Sequence, residues 1–324
     1  MLPLAEGSTG AAVGDVQRRL AGLGFGAVSD PDGVFGPATR AAVEAFQHRR
    51  GLRIDGICGH QTWGTLVEAG YCLGARPLYR TTPMARGDDV AELQQRLGAL
   101  GFDTGRVDGI FGDLTAAALG EFQRNAGLPV DGIAGSTTVA ELLRVQAPHH
   151  EPEPVAAVRD RERLRQSPPT LEGRRLAIGE VGGLGATVAA LRRRLAATGA
   201  RVTELHHPEG SNQAEIANAA QVDVYLGLRL DPDRPGCSTA FYTGYRYESQ
   251  GGRRLATLVQ AHVPAALGVP DRDIHGMSLP VLRETRMPAV IVEIGPATTV
   301  VEGGPVLANA LTAALVEWAR STWD

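Results

Sequence analysis

In the first half of the chain, apolar residues recur three or four positions apart, in short stretches separated by Gly-rich segments. Val16 and Leu20 share one face of the first stretch, and Val43 and Phe46 share one face of the second. A third stretch repeats the pattern around Leu66. The spacing therefore predicts three short amphipathic helices joined by tight turns.

This pattern occurs twice along the chain. The segment "DGVFGPATRAAVEAFQ" returns as "DGIFGDLTAAALGEFQ". The motif D-G-x-x-G-x-x-T starts at four positions: Asp32, Asp55, Asp108 and Asp131. Asp-Gly pairs favour turns, and we expect Thr39 to cap a helix over residues 40–49. The repeat predicts two small all-α, three-helix modules, at residues 1–75 and 76–147.

The second half of the chain has a different pattern. Residues 148–173 are rich in Pro and charge, and we interpret them as a linker with one short helix at Val155 to Gln166. Beyond the linker, apolar runs alternate with amphipathic helices, which predicts a mostly parallel sheet covered on both faces. The predicted fold class is therefore multidomain, with two all-α modules followed by an α/β domain at residues 174–324.

One carboxylate interrupts "MPAVIVEIG", an apolar run that we expect to form a buried strand. A buried carboxylate without a partner is costly, so Glu293 needs a counter-charge. Arg229 is a lone charge near the end of another apolar run, "VDVYLGLRL". Ligand sites of parallel sheets lie at the carboxyl ends of the strands. We therefore expect Glu293 and Arg229 to form an ion pair at that edge.

Composition and charge narrow the range of partners. Hydrophobic residues make up 43% and charged residues 21%, and the net charge of −4 gives no reason to expect nucleic acid or an anionic membrane. Three Cys without CxxC spacing suggest neither a disulfide framework nor a cysteine zinc site. We predict no membrane span. The first residues lack the features of a signal peptide, so we expect a cytoplasmic location, or the cell wall if a leader has been removed.

The two modules resemble the peptidoglycan-binding domain type 1 family. The resemblance rests on the series "LQxxLxxLGF", "DGxFGxxT" and "FQxxxGLxxDGixGxxT" over residues 8–69 and 86–145. It implies peptidoglycan or its precursors as the partner, and the four motif Asp residues become candidates for binding. We expect the Phe residues of the motifs to pack in the cores: Phe35, Phe46, Phe111 and Phe122.

The α/β domain resembles the zinc-dependent N-acetylmuramoyl-L-alanine amidase type 3 family. The matching segments are "ANAAQVDVYLGLRL" and "VLRETRMPAVIVEIG". The resemblance implies a zinc site with two His ligands and one Glu ligand, and a further Glu that activates the metal-bound water. Glu293 falls on the position of that general base.

The zinc ligands of this family do not carry over. In "LAIGEVGGLG", Glu180 or Val181 stands where the first His belongs, and Arg229 replaces the second His. The segment that supplies the Glu ligand is missing, because a helix starts near Thr187. We expect no relocated site from the other His residues of the domain: His206, His207, His262 and His275. Glu180, Arg229 and Glu293 are therefore expected to form a remnant pocket without a metal or other cofactor.

A mycobacterial subgroup of the family shares this architecture and has Arg in place of a ligand His. The resemblance implies a non-catalytic, cytoplasmic regulator of peptidoglycan precursor synthesis, with a precursor-synthesis enzyme as a further candidate partner. Two alternatives stay open. One is an active amidase that holds zinc and cleaves peptidoglycan, and the other is a simple cell-wall tether.

Overall fold

The computed structural model describes residues 3–26, 29–145, 155–232, 234–244 and 247–323. Residues 148–154 of the predicted linker therefore lie outside the described residues. The chain divides into two compact units. The first unit comprises Met1–Asp160 with Tyr245–Tyr247, and the second comprises Arg161–Gly244 with Glu248–Asp324.

Each repeat in the first unit folds as three helices, as the sequence predicts. The helices of the first module are α1 (Ala11–Gly22), α2 (Pro37–Arg49) and α3 (His60–Glu68). Those of the second module are α4 (Asp88–Ala99), α5 (Asp113–Asn125) and α6 (Ser136–Arg144). The four motif Phe residues are buried in the two cores, as expected: Phe35, Phe46, Phe111 and Phe122.

A buried glutamine, which the sequence analysis did not single out, organises each Asp-Gly turn. The side-chain amide of Gln123 in α5 donates to the Asp131 carboxylate at 2.7 Å, the Ile133 carbonyl at 3.1 Å and the Thr138 hydroxyl at 3.2 Å. Its amide oxygen accepts from the Gly132 backbone N–H at 3.0 Å. This one side chain therefore ties the turn to the helices on both sides.

The same arrangement recurs at the other three turns. Gln17, Gln47 and Gln94 are all buried. Each donates to the Thr of its own motif at 3.0–3.1 Å. Each also accepts from the Gly N–H of its Asp-Gly pair at 2.9–3.0 Å. The repeated motif therefore encodes a polar network inside the module, because a buried amide is costly unless all its partners are present.

The predicted role of Thr39 as a helix cap is wrong. Helix α2 begins at Pro37, and the capping group is the carboxylate of Asp30, which accepts from the Thr39 N–H at 2.6 Å and from its hydroxyl at 2.7 Å. The Gly36 N–H also donates to this carboxylate, at 3.1 Å. These hydrogen bonds, that of the Thr39 N–H above all, lower the pKa of Asp30.

Helix α7 (Val155–Gln166) has the predicted bounds. Its first half is not isolated in solvent, because Asp160 forms an ion pair with the largely buried Arg106 of the first unit at 3.1 Å. Arg159 pairs with Asp103 in the same region. The part of the predicted linker that the structure describes therefore contains an ordered helix held by two ion pairs.

The second unit contains a six-stranded sheet in the order β2-β1-β3-β6-β4-β5. The strands are β1 (Arg175–Glu180), β2 (Arg201–His206), β3 (Val224–Leu230), β4 (Gly236–Tyr242), β5 (Asp271–Met277) and β6 (Ala289–Gly295). Strand β4 is antiparallel to β6, and the other neighbouring pairs are parallel. The predicted fold class, with a mostly parallel sheet, is confirmed.

Helices cover both faces of this sheet. They are α8 (Gly185–Ala197), α9 (Gly210–Ala219), α10 (Gln250–Leu267), α11 (Pro280–Glu284) and α12 (Ala297–Ala319). Helices α8, α10 and α12 pack on one face and bury the main apolar core. Helices α9 and α11 contact each other and the sheet on the other face. Each strand therefore has one face toward each helical layer.

Strand β5 and helix α11 are the elements that the sequence analysis missed. Strand β5 lies at the edge of the sheet and carries His275. Its sequence, DRDIHGM, is polar and mostly exposed because only one neighbouring strand covers it. Helix α11 has only five residues, too few for a helical period to be recognised.

Among the described helices, α12 alone is long and apolar enough to cross a membrane. One side of α12 is buried in the main core through Leu307, Leu311, Leu315 and Trp318. Such packing is also what a core helix of a folded domain shows, so length and hydropathy are weak evidence for a membrane span.

We predict that Gln123→Leu lowers the free energy of unfolding of the second module by about 2–4 kcal/mol, because it leaves the partly buried Gly132 N–H and the buried Thr138 hydroxyl without their partner. Denaturant unfolding of the full chain measures this loss. Arg124→Leu, at the exposed neighbouring position, is the matched control and should change stability little. Equal effects of the two variants would contradict a structural role for the glutamine network.

Candidate functional site

The candidate site lies at the carboxyl ends of β3 and β6. Arg229 and Glu293 are register partners on these adjacent parallel strands, and both are half-buried. Although both residues belong to the described part of the chain, no hydrogen bond or ion pair within 4 Å joins their side chains. The predicted ion pair is therefore wrong. Partial exposure gives each charge access to water, so neither requires a counter-charge in contact.

Glu180 lies on the opposite face of the sheet from Arg229 and Glu293. Its register partner in β3 is Leu228, which packs in the main core beside α8. The Glu180 carboxylate accepts from the Leu184 N–H at 3.0 Å, at the start of α8. Placing Glu180 in one remnant pocket with Arg229 and Glu293 was therefore wrong, because successive residues of a strand face opposite sides.

The structure resolves which residue of "LAIGEVGGLG" stands in the candidate site. Val181, the residue after β1, lines a small cavity together with Arg229, Tyr225 and Ile291. The sequence left Glu180 and Val181 as alternatives for the position of the first ligand His. The geometry favours Val181, whose side chain has no donor atom for a metal.

Glu180 instead belongs to a surface cluster at the end of β2. Its carboxylate contacts Nδ1 of His206 at 2.9 Å, and Glu204 contacts Nε2 of the same ring at 3.4 Å. These two carboxylates, Glu180 above all, raise the pKa of His206. Arg192 of α8 pairs with Glu204 at 2.7 Å. His206 is therefore engaged on the face of the sheet away from Arg229.

Two side chains that the sequence analysis did not single out fill the space beside Arg229. The hydroxyl of Tyr225 donates to the side-chain oxygen of Gln213, from α9. The amide nitrogen of Gln213 donates to the backbone carbonyls of Glu180, at 3.1 Å, and His207. Both Tyr225 and Gln213 are buried, and burial raises the pKa of the Tyr225 hydroxyl. The tyrosine is therefore a neutral hydrogen-bond donor in this network.

Glycine in the neighbouring strands makes room for this pair. A methyl group at Gly179 would overlap the Tyr225 hydroxyl and the Gln213 side-chain oxygen, and one at Gly227 would lie 3.2 Å from Ile291. The remaining cavity has a volume of about 10 Å³, at the lower limit for a single water molecule. The interior of the site is therefore filled by the protein itself.

The residues at the family's ligand positions do not fit a zinc ion. Zinc in a catalytic site needs about three protein ligands, and neither a valine side chain nor a guanidinium can donate an electron pair to it. Helix α8 begins at Gly185, shortly after β1, which leaves little chain for an additional ligand. Across the residues that the structure describes, no group of three His, Cys, Asp or Glu side chains is placed to hold a metal.

The other His residues are dispersed over the second unit. The His207 ring lies 3.1 Å from the Asn212 amide, and His262 contacts Glu317 on α12 at 2.9 Å. His275, on the edge strand β5, contacts the Arg272 carbonyl at 2.9 Å. Each ring has its own local partners, and no two of the domain's His residues share one.

Asn218, in the "ANAAQ" segment, has a structural role. Its amide donates to the Glu284 carbonyl at 2.8 Å and accepts from the Arg286 N–H at 2.9 Å. These two hydrogen bonds hold α9 to the turn after α11, which leads into β6. In this chain, Asn218 therefore helps to position the strand that carries Glu293.

Three of the four motif Asp residues of the modules stabilise turns. Asp55, Asp108 and Asp131 each accept from a buried Gln and from the backbone N–H two residues further on, the latter at 2.9 Å in every case. At the first turn a different residue, Asp30, accepts from the Thr39 N–H and hydroxyl. The contacts of Asp55, Asp108 and Asp131 explain these three residues without a ligand, and the part of all four motif Asp residues in peptidoglycan binding stays a prediction.

Comparison with known families agrees with this architecture. The model described as a putative peptidoglycan binding domain matches residues 9–66 and 86–142, and the model of N-acetylmuramoyl-L-alanine amidase matches residues 185–303. The amidase match begins at α8, after β1 and Val181. The chain thus belongs to the N-acetylmuramoyl-L-alanine amidase family and carries two peptidoglycan-binding domains.

The proteins to which this chain is similar include three amidases. The chain is 34% identical to N-acetylmuramoyl-L-alanine amidase CwlM of Mycobacterium tuberculosis, over 96% of this chain and 86% of that protein. It is also 34% identical to the amidase CwlL of Bacillus licheniformis, over 43% of this chain and 44% of that protein. The crystal structure of the amidase Ami1 from Mycobacterium smegmatis superimposes with a TM-score of 0.42 and 15% identity, covering 47% of this chain and 100% of that one.

We predict that Gly179→Ala destabilises the second unit by at least about 2 kcal/mol, because the added methyl group collides with the Tyr225–Gln213 pair. Gly185→Ala is the matched control, since a methyl group there meets no atom within 4 Å and the residue begins a helix. Thermal unfolding of both variants measures the difference. If Gly179→Ala were as stable as Gly185→Ala, the filled interior would be contradicted.

Proposed function

We propose that this protein is a non-catalytic peptidoglycan-binding protein that regulates cell-wall synthesis and is built on an amidase fold. The observation that carries the proposal is the chemistry of the ligand positions, where Val181 and Arg229 stand in place of metal-binding side chains. The family match and the two binding domains support a role in the cell wall. On this proposal the protein has no zinc cofactor.

Electrostatics strengthens the argument against a metal. Two unit charges 4 Å apart interact by about 4 kcal/mol at an effective dielectric constant near 20, and a divalent ion doubles that energy. The guanidinium of Arg229 therefore opposes a zinc ion at this position instead of binding it. Glu293 occupies the position of the general base, but a base of this kind acts on a metal-bound water. Without the metal its role in hydrolysis is lost.

The regulatory part of the proposal rests on the shared architecture. The similarity to CwlM extends over nearly the whole chain, including both binding modules. The resemblance to the mycobacterial subgroup makes peptidoglycan precursors and a precursor-synthesis enzyme the proposed partners. The cytoplasmic location stays a prediction, which fractionation of cells would test.

The alternative is an active zinc amidase, which the match to the amidase family and the carboxylate of Glu293 favour. In that case Glu293 would have to act on a water molecule bound to zinc, and residues other than Val181 and Arg229 would have to bind the zinc ion. A simple tether would need only the two modules. The amidase alternative differs from our proposal in both metal content and turnover.

We predict that the purified full chain contains no stoichiometric zinc and releases no peptide from muramoyl-peptides when zinc is supplied. Elemental analysis and a product assay by mass spectrometry measure the two quantities, with a family amidase such as Ami1 as the positive control. Glu293→Gln is the internal control, because it would abolish hydrolysis in which this carboxylate is the base. Near-unit zinc content with turnover that Glu293→Gln or a chelator removes would establish the amidase alternative.

A further inference from the structure

The cores of the two modules do not explain a cleft at the junction of the two repeats. It is formed between α3, which contributes Trp63, and the connection that runs from Tyr71 to Arg86. Its volume of about 570 Å³ is within the range of small-molecule binding sites, roughly 300–1,000 Å³. The small cavity beside Arg229, by comparison, is too small for any ligand larger than water.

The cleft is formed where the two repeats differ in two respects. The position of Trp63 in the first module corresponds to Val139 in the second, where the side chain is buried in the core. The segment that enters each module also differs in length. In each module two isolated β-bridges mark the ends of this segment. Residues 5–8 lie between the two bridges of the first module, and residues 79–85 lie between those of the second. The three extra residues belong to the stretch that lines the cleft, so the cleft is specific to the tandem and absent from either module alone.

Three aromatic side chains line the cleft, Trp63, Tyr71 and Tyr79, and two of them contact a guanidinium group. The Arg19 guanidinium lies 5.3 Å from the Trp63 ring centre, and that of Arg76 lies 3.7 Å from the ring centre of Tyr71. Arg76 is in turn held by the fully buried carboxylate of Asp89, at 2.7 Å. Such cation–π contacts hold each ring from one side. The two rings are therefore positioned before any ligand arrives.

The connection adds exposed apolar surface at the same place. Tyr79 is 44% exposed and Met84 is 49% exposed, although both are large side chains that usually find cover. Thr81 and Glu68 add polar groups to the rim. A concave surface of aromatic rings with a few polar groups is the composition expected of a site for a polar ligand that has apolar faces.

We propose that this cleft binds the glycan part of peptidoglycan, that is, its N-acetylated amino sugars. Pyranose rings present C–H faces that pack on aromatic rings, and N-acetyl groups supply a methyl group and an amide for the apolar and polar parts of the lining. A free stem peptide carries carboxylates and would favour unpaired cations, whereas Arg76 is already paired with Asp89. The inference rests on the proposed peptidoglycan-binding function and deepens it.

The test uses the full chain and two soluble probes. One is the N-acetylglucosaminyl–N-acetylmuramic acid disaccharide with its lactyl carboxyl group amidated, so that it is uncharged, and the other is the free stem peptide. Calorimetric titration should show binding of the disaccharide only. Trp63→Val, which installs the residue of the second repeat, and Tyr79→Ser should each weaken disaccharide binding by about tenfold or more. Val130→Ser, at an exposed apolar residue outside the cleft, is the control and should bind like the unmodified chain.

Several outcomes would overturn the inference. It fails if both cleft variants bind the disaccharide as tightly as the Val130→Ser control does, or if the stem peptide alone binds as well as the disaccharide. If Trp63→Val does not fold, as judged by circular dichroism, Tyr79→Ser at its exposed position decides. If the cleft variants bind intact peptidoglycan as tightly as the unmodified chain does, the cleft is not the binding site, but the proposed function stands. If the chain binds neither intact peptidoglycan nor the disaccharide, both the binding site in the cleft and the proposed function are refuted.

Discussion

The contact between the Tyr225 hydroxyl and Gln213 organises the candidate site of the second unit. It fills the space at the carboxyl ends of the parallel strands, where folds of this class place their ligands. Gln213 also binds the carbonyls at the ends of β1 and β2, so the same side chain fixes the position of α9. Gly179 is required beside the pair because any larger residue would collide with it. The filled interior beside Arg229 is therefore a consequence of this one arrangement.

The modules of the first unit depend on the same kind of constraint. A glutamine side chain is buried in each turn, and it is tolerated because its nitrogen and its oxygen both find partners within the motif. This network ties the Asp-Gly turns to the helices and involves three of the four Asp side chains directly. The repeated motif is therefore explained largely by folding. We therefore expect a ligand-binding site where the two repeats differ, at Trp63 and at the connection before α4.

Much of the fold could be predicted from the sequence, because helical periodicity, Asp-Gly turns and apolar strands are local signals. These signals predicted the two modules, α7 and the mostly parallel sheet. Strand β5 could not be recognised, since it is a polar edge strand whose pairing comes from β4. The assignment of Glu180 failed because a shift of one residue moves a side chain to the other face, and a sequence alone does not fix that register. Tyr225 and Gln213 escaped notice because each is unremarkable until the fold brings them together.

We propose that protein side chains occupy the place where an amidase of this family holds zinc. An anomalous difference map at the zinc absorption edge, from crystals of the full chain grown with zinc, tests this proposal. We expect no peak beside Glu293 and an intact hydrogen bond between Tyr225 and Gln213. A peak at ligand distance from the Glu293 carboxylate, about 2.0–2.2 Å, with Arg229 displaced, would contradict it.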